Sequence, residues 1–115
     1  MTRPARGDRR FRSKYGAVPT LVAGRRFASK AEARRYQQLA LLAQVGNITD
    51  LTCQPRYPLI VHGVSVCTYV ADFAYRDGAE SVTEDVKGMV TPLAKLKIKL
   101  FEVLYGRPVR IVRMG

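Results

Sequence analysis

The sequence predicts an α+β domain of element order αβββαβ, a mixed sheet flanked by two helices, behind a basic N-terminal arm. Three observations predict it. Two segments carry helix-start signals followed by apolar residues at helical spacing, one at Ser29 and one at Thr91-Pro92. Between them lie three runs rich in β-branched and aromatic residues, separated by turn residues. A fourth short run, Val109 to Val112, follows the second helix.

Residues 1–16 hold Arg3, Arg6, Arg9, Arg10, Arg12 and Lys14 with Pro4, Gly7 and Gly16 and have no helical or strand period, so they read as a flexible arm. Residues 17–115 read as a single domain. Val18 to Phe27 has a turn signal at Ala23-Gly24 and suits a short hairpin or extended segment. Ser29-Lys30-Ala31-Glu32 is a capping box that starts the first helix. Tyr36, Leu39, Leu42 and Ala43 form its apolar stripe, and Gly46 suits the position after its end. Gln54 to Val61 reads as an edge strand because Pro55 and Pro58 remove ladder donors. After a His62-Gly63 turn, Val64 to Tyr75 is the longest strand signal. Arg76-Asp77-Gly78 is a turn, and Ser81 to Lys87 is a third strand ended by Gly88. Thr91 then caps a helix with proline at its first position. That helix runs to Tyr105 with Leu93, Leu96, Leu100, Phe101 and Leu104 as its stripe, and Gly106 stops it.

Twenty Lys/Arg against nine Asp/Glu give the 115-residue chain a formal charge of +11. Residues 1–35 hold 11 Lys/Arg and 2 acids, a net of +9, so the excess is concentrated in the first third. Such a basic run points to a polyanionic partner, with a solubilising tail or localisation signal as the plainer alternative. The longest strongly apolar stretch, Leu39 to Val45, is far too short to span a bilayer, and no secretory signal is expected. Cys53 and Cys67 match no disulfide framework or zinc spacing, and a single histidine, His62, excludes an HNH-type centre. The expectation is a protein of a reducing, cytoplasmic compartment with no membrane partner.

Asp72 interrupts an otherwise apolar strand, where a buried carboxylate is costly unless paired or metal-bound. Asp85 and Lys87 are two apart and share one face of the third strand, while Val82, Glu84 and Val86 face the other way. Glu32, on the inner side of the first helix, is a third candidate carboxylate. Two strand carboxylates and a lysine suit a hard cation such as Mg²⁺ and phosphodiester hydrolysis, the lysine activating water or stabilising charge. Plainer roles stand beside these. Glu32 completes the capping box, Asp85 and Lys87 form a surface ion pair, Glu84 is solvated, or Asp72 bonds backbone amides at a sheet end.

A longer set of residues resembles a known family. Its carriers are Lys14-Tyr15-Gly16, the run Gly24 to Ala33 (GRRFASKAEA), Arg35-Tyr36, Leu39, Leu42, Gly46, Ile48, Leu51, Gln54, Tyr57 and Leu59. They continue with Tyr69-Val70-Ala71-Asp72-Phe73, Glu84-Asp85-Val86-Lys87-Gly88, Thr91, Lys97 and Phe101. The chain is similar, over about Lys14 to Val112, to small phage and prophage proteins of unknown function placed distantly among the PD-(D/E)xK nucleases. The resemblance implies a restriction-endonuclease-like core and a Mg²⁺-dependent DNA endonuclease, with Mn²⁺ able to substitute. It implies Glu32, Asp72, Asp85 and Lys87 as catalytic residues and Glu32, Asp72, Asp85 and the Val86 carbonyl as metal ligands. Gln54 corresponds to a polar first-strand residue of related nucleases. The proline of the motif is absent, since Ala71 precedes Asp72. Branched or replicative phage DNA is the expected substrate and a homodimer an expected assembly. RNA in place of DNA stays open, because the sequence holds no module that reads bases or 2′-hydroxyls.

Arg9, Arg10, Arg12 and Lys14 of the arm, Arg25, Arg26 and Lys30 before and at the first helix, and Lys95 and Lys99 on the second are the expected nucleic-acid contacts, with Lys97 nearby. A non-catalytic basic DNA- or RNA-binding protein is the rival reading. It has no need for Asp72 or Asp85, since acids repel phosphate unless a cation lies between.

Overall fold

The computed structural model describes residues 20–22, 24–87 and 90–114. The arm, including Arg9, Arg10, Arg12 and Lys14, lies outside the described residues, as does Gly88. Strands β1 (Thr20–Val22) and β2 (Arg25–Phe27) pair antiparallel, the hairpin of the two forms open for this segment. Helix α1 (Lys30–Gln44) starts where Ser29 Oγ accepts the Glu32 N–H at 3.1 Å. It ends in a Schellman arrangement: Gly46, at φ 85, donates its N–H to Ala43, and Asn47 donates to Leu42.

The meander differs from the sequence expectation in one instructive way. Strands β3 (Thr49–Cys53), β4 (Arg56–Val61), β5 (Val64–Val70) and β6 (Phe73–Asp77) form a single antiparallel ribbon with a kink in it. The expected strands began at Gln54 and ran unbroken from Val64 to Tyr75. Instead Gln54 takes φ 54 and is followed by Pro55, which has no N–H to give, so the ladder breaks there. Ala71 and Asp72 face that break. Two backbone bonds span it, Gln54 N–H to Asp72 O (2.9 Å) and Ala71 N–H to Pro55 O (3.1 Å). The far half of the ribbon, β4–β5, turns at His62-Gly63 (φ 49 and 79) and leaves the main sheet as a sheet of its own.

Strand β7 (Glu80–Val86), helix α2 (Pro92–Tyr105) and strand β8 (Val109–Val112) complete the fold. The four-stranded sheet has the order β3-β6-β7-β8, antiparallel except for β7-β8, which α2 connects in parallel. The chain is therefore a mixed α+β domain compatible with an αβββαβ-like core, α1-β3-β6-β7-α2-β8, with the β4–β5 hairpin inserted. The first core strand, TDLTC, escapes sequence reading because it is short, polar and bulged at Asp50 (φ 56). Among the described residues no helix is long and apolar enough to cross a membrane.

Two cores form. Phe27, Ala33, Leu39, Ile48, Phe73, Tyr75 and Val82 pack together, with Tyr36, Leu42 and Ala43 of the expected α1 stripe against them. Leu59, Tyr69, Ala71, Phe101 and Val109 form the second, supported by Ile98 and Leu100 of α2. The α2 stripe is thus only partly as expected. Phe101 is fully buried, but Leu93 and Leu96 are 61% and 63% exposed and Leu104 is exposed. The helix carries apolar residues on more than one side, so its period does not say which side the β4–β5 hairpin covers.

Thr91 Oγ1 accepts the Ala94 N–H at 3.1 Å. Thr91→Ala should therefore lower stability by about 1 kcal/mol, seen as a lower urea midpoint with unchanged slope.

Candidate active site

The kink places Asp72 at the end of β6 rather than inside a strand. Its N–H is directed to β7, reaching Asp85 Oδ1 (2.8 Å) and Glu84 O (3.2 Å). Its Oδ2 accepts the Val86 N–H at 2.7 Å. The side chain thus makes the bond that a continued strand would have made, which is the sheet-end role weighed from the sequence. Val86 meets Asp72 through its N–H group.

Asp85 is fully buried on the α2 side of β7. Its Oδ2 accepts the Tyr69 hydroxyl proton and lies 3.4 Å from Lys87 Nζ, whose side chain is 21% exposed. The expected same-face pairing of Asp85 with Lys87 is found, but it is not a surface pair. Tyr69 carries the family resemblance but is not among the expected site residues. Strand parity was the available signal, because Tyr69 shares the inner face of β5 with Cys67.

Glu32 serves two ends. Its backbone N–H completes the cap to Ser29, and its Oε1 accepts the Ala28 N–H at 3.2 Å. Its carboxyl also lies near enough to that of Asp72 to act on it. Burial first, and then Glu32, push Asp72 up to about 8 from the ordinary carboxylate range, against the pull of the Val86 N–H and Lys87. Burial, followed by the charge of Asp72, also raises Asp85. Tyr69 is raised by burial and by its bond to Asp85, so it stays a proton donor.

Glu84 faces α1, as its parity requires, but is fully buried rather than solvated. Arg35 grips it with two bonds, Nε to Oε2 (2.6 Å) and Nη2 to Oε1 (3.0 Å). The Tyr75 hydroxyl donates to Oε1 (2.7 Å) and in turn accepts from Arg110 (3.0 Å). Burial of Glu84 is explained by its three bonds to Arg35 and Tyr75, with Arg110 behind Tyr75; these residues lie on three separate elements and leave no local sequence signal.

Of the remaining expected contacts, Arg26 and Lys30 are exposed around the start of α1, and Lys95 and Lys99 are exposed on one face of α2. Lys97 is half-buried. The Arg25 side chain lies outside what is described. Gln54 is exposed at the kink and bonds Asp72 O through its N–H.

A hard cation takes oxygen donors, and Mg²⁺ needs only one or two protein carboxylates beside waters and phosphate. Glu32 and Asp72, pressed together and half-buried, have the mutual repulsion a cation would relieve. Among the described residues no three His, Cys, Asp or Glu side chains gather closely enough to hold an ion. The residues therefore fit a two-carboxylate site of Glu32 and Asp72, with Asp85 committed to Tyr69, Lys87 and the Asp72 N–H.

Fold and site define a mixed α+β domain with an acid cluster and one lysine at the end of its central sheet. The chain belongs to the family described as a protein of unknown function (DUF1064), whose model matches residues 12–113. No curated protein and no solved structure gives a significant match.

Two outcomes are expected. Glu84→Ala leaves the Arg35 charge and the Tyr75 hydroxyl without their partner and should cost about 3–5 kcal/mol in denaturant unfolding. Asp72→Asn keeps an acceptor for Val86 and tests the raised Asp72. The folded state holds that proton to higher pH than the unfolded chain, so wild-type stability falls as pH climbs from the ordinary range to about 8. The variant should match wild type below about pH 4 and gain on it progressively up to about pH 8. A difference that stays flat across thermal melts at these pH values counts against a protonated Asp72.

Proposed function

We propose that the protein is a metal-dependent DNA endonuclease of the PD-(D/E)xK kind, of phage or prophage origin. The observation that carries this reading is the convergence of Glu32, Asp72, Asp85 and Lys87 from α1, the ribbon kink and the end of β7. Glu32 and Asp72 would hold Mg²⁺ or Mn²⁺. When bound, such an ion polarises a phosphate and lowers the pKa of bound water.

The chain's own residues do the rest. Lys87 is held toward the site by Asp85 and offers its remaining N–H donors to a phosphate oxygen as charge develops. Tyr69 and the Asp72 N–H fix both oxygens of Asp85, so the lysine is anchored rather than free to swing. Exposed Arg26, Lys30, Lys95 and Lys99 supply charge for the polyanion, which suits DNA or RNA alike.

The bonds of Asp72 and Asp85 to backbone N–H groups favour a second reading, a basic nucleic-acid binder in which these acids only close the sheet end. The readings separate in one experiment with linear, nicked, branched and single-stranded DNA and RNA in Mg²⁺, Mn²⁺ or EDTA. The nuclease cuts only with metal. Asp72→Asn and Lys87→Ala should each lower cleavage by about 10²–10³-fold with DNA binding retained. Mg²⁺ should raise the thermal midpoint of wild type and not of Asp72→Asn. Binding with no metal-dependent cutting supports the second reading.

A further inference from the structure

A groove of about 610 Å³ runs between α2 and β8, a size typical of sites that take one small ligand unit. Its floor is apolar, made by Val90, Ile98 and Ile111, and cations stand on both rims, Lys95 and Lys99 on α2 and Arg113 just past β8. The one acid that lines it, Glu102, has its Oε2 engaged with the Val109 N–H at 2.9 Å.

The groove borders β8, the strand that pairs with the β7 strand of the candidate site. In the parallel pair of β7 and β8, Ile111 is the partner of Asp85, so the two lie on one sheet face, about 4.8 Å apart across the strands. Lys87 donates its N–H to Val112 O at 3.0 Å, which puts Arg113 next along that edge. A chain whose phosphate sat at Lys87 would meet the groove at the following position.

We propose that this groove binds an unpaired nucleotide, so that the preferred nucleic acid is single-stranded beside the site of cleavage. The proposal rests on the nuclease reading for what happens at Lys87, but the binding it names can be measured alone. The floor offers nothing to a phosphodiester backbone and everything to the face of a base. Base faces are stacked away in a duplex and open in a single strand. The cationic rims take the flanking phosphates. The chemistry is shared by single-stranded DNA and RNA.

The test is fluorescence anisotropy on the full chain in EDTA, with a labelled mixed-sequence DNA as single strand, the same DNA as duplex, and the single-stranded RNA. Ile111→Arg fills the floor while adding positive charge. It should weaken single-strand binding about tenfold or more and leave duplex binding unchanged. Ile111 is already 38% exposed, and a circular dichroism melt checks folding of the variant. Lys99→Ala, at an exposed position, should lower the salt slope for single strands by about 0.7. Loss on both single strands, or on DNA alone, supports the groove and distinguishes the two sources. Single-strand binding by Ile111→Arg equal to or above wild type overturns it, since that is what a purely electrostatic surface gives. Equal loss on duplex overturns it too. Absence of metal-dependent cutting alongside the expected single-strand loss would instead remove the nuclease reading and leave the groove standing.

Discussion

The bond from the Val86 N–H to the Asp72 carboxyl pins the kink of the ribbon to β7, and much of the structure depends on it. The ribbon leaves the sheet at Gln54-Pro55 and Ala71-Asp72, so the last donors of β7 have no strand beside them. A buried N–H without an acceptor is expensive. The Asp72 carboxyl supplies the acceptor, and the Asp72 N–H returns a bond to Asp85. This reciprocal pair locks the kink to β7. In doing so it buries two carboxyl groups near each other, and burial first, then the neighbouring acid, raises Asp72 and Asp85. The stress of like groups held together and the closure of the sheet end have the same cause.

Strand β7 distributes its acids by parity. Glu84 and Asp85 are adjacent in sequence and both fully buried, yet they meet different surroundings. Glu84 faces α1 and is consumed by Arg35 and Tyr75, an arrangement that ties α1 to the sheet. Asp85 faces the second core, bonds Tyr69 of the hairpin and holds Lys87 near the surface. One acid is spent on packing a helix, and the other on holding a lysine near the surface.

The charge of the molecule follows the same division. Most of the excess lies in the first 35 residues, while the rest of the chain is nearly balanced. The acids of that balanced part are mostly occupied by named donors. The cations along α2 and past β8 remain exposed around an apolar floor, one strand away from Asp85. The fold thereby sets exposed cations one strand away from buried and half-buried acids.

The sequence by itself determined the two capped helices, the mixed α+β class and the same-face pairing of Asp85 with Lys87. Caps, turn residues and strand period are local properties, written within a few neighbouring residues. Asp72 was legible as an anomaly because an acid in an apolar run is costly wherever the run goes. Only the tertiary structure decided that the long strand breaks at Asp72, that TDLTC is the first core strand, and that Glu84 is buried. It also decided which side of α2 is covered. Each of these turns on partners far away in the chain: Pro55 across the ribbon, Arg35 on another layer, the β4–β5 hairpin over α2. Local pattern names what a residue needs; which distant group meets that need is settled only when the layers pack.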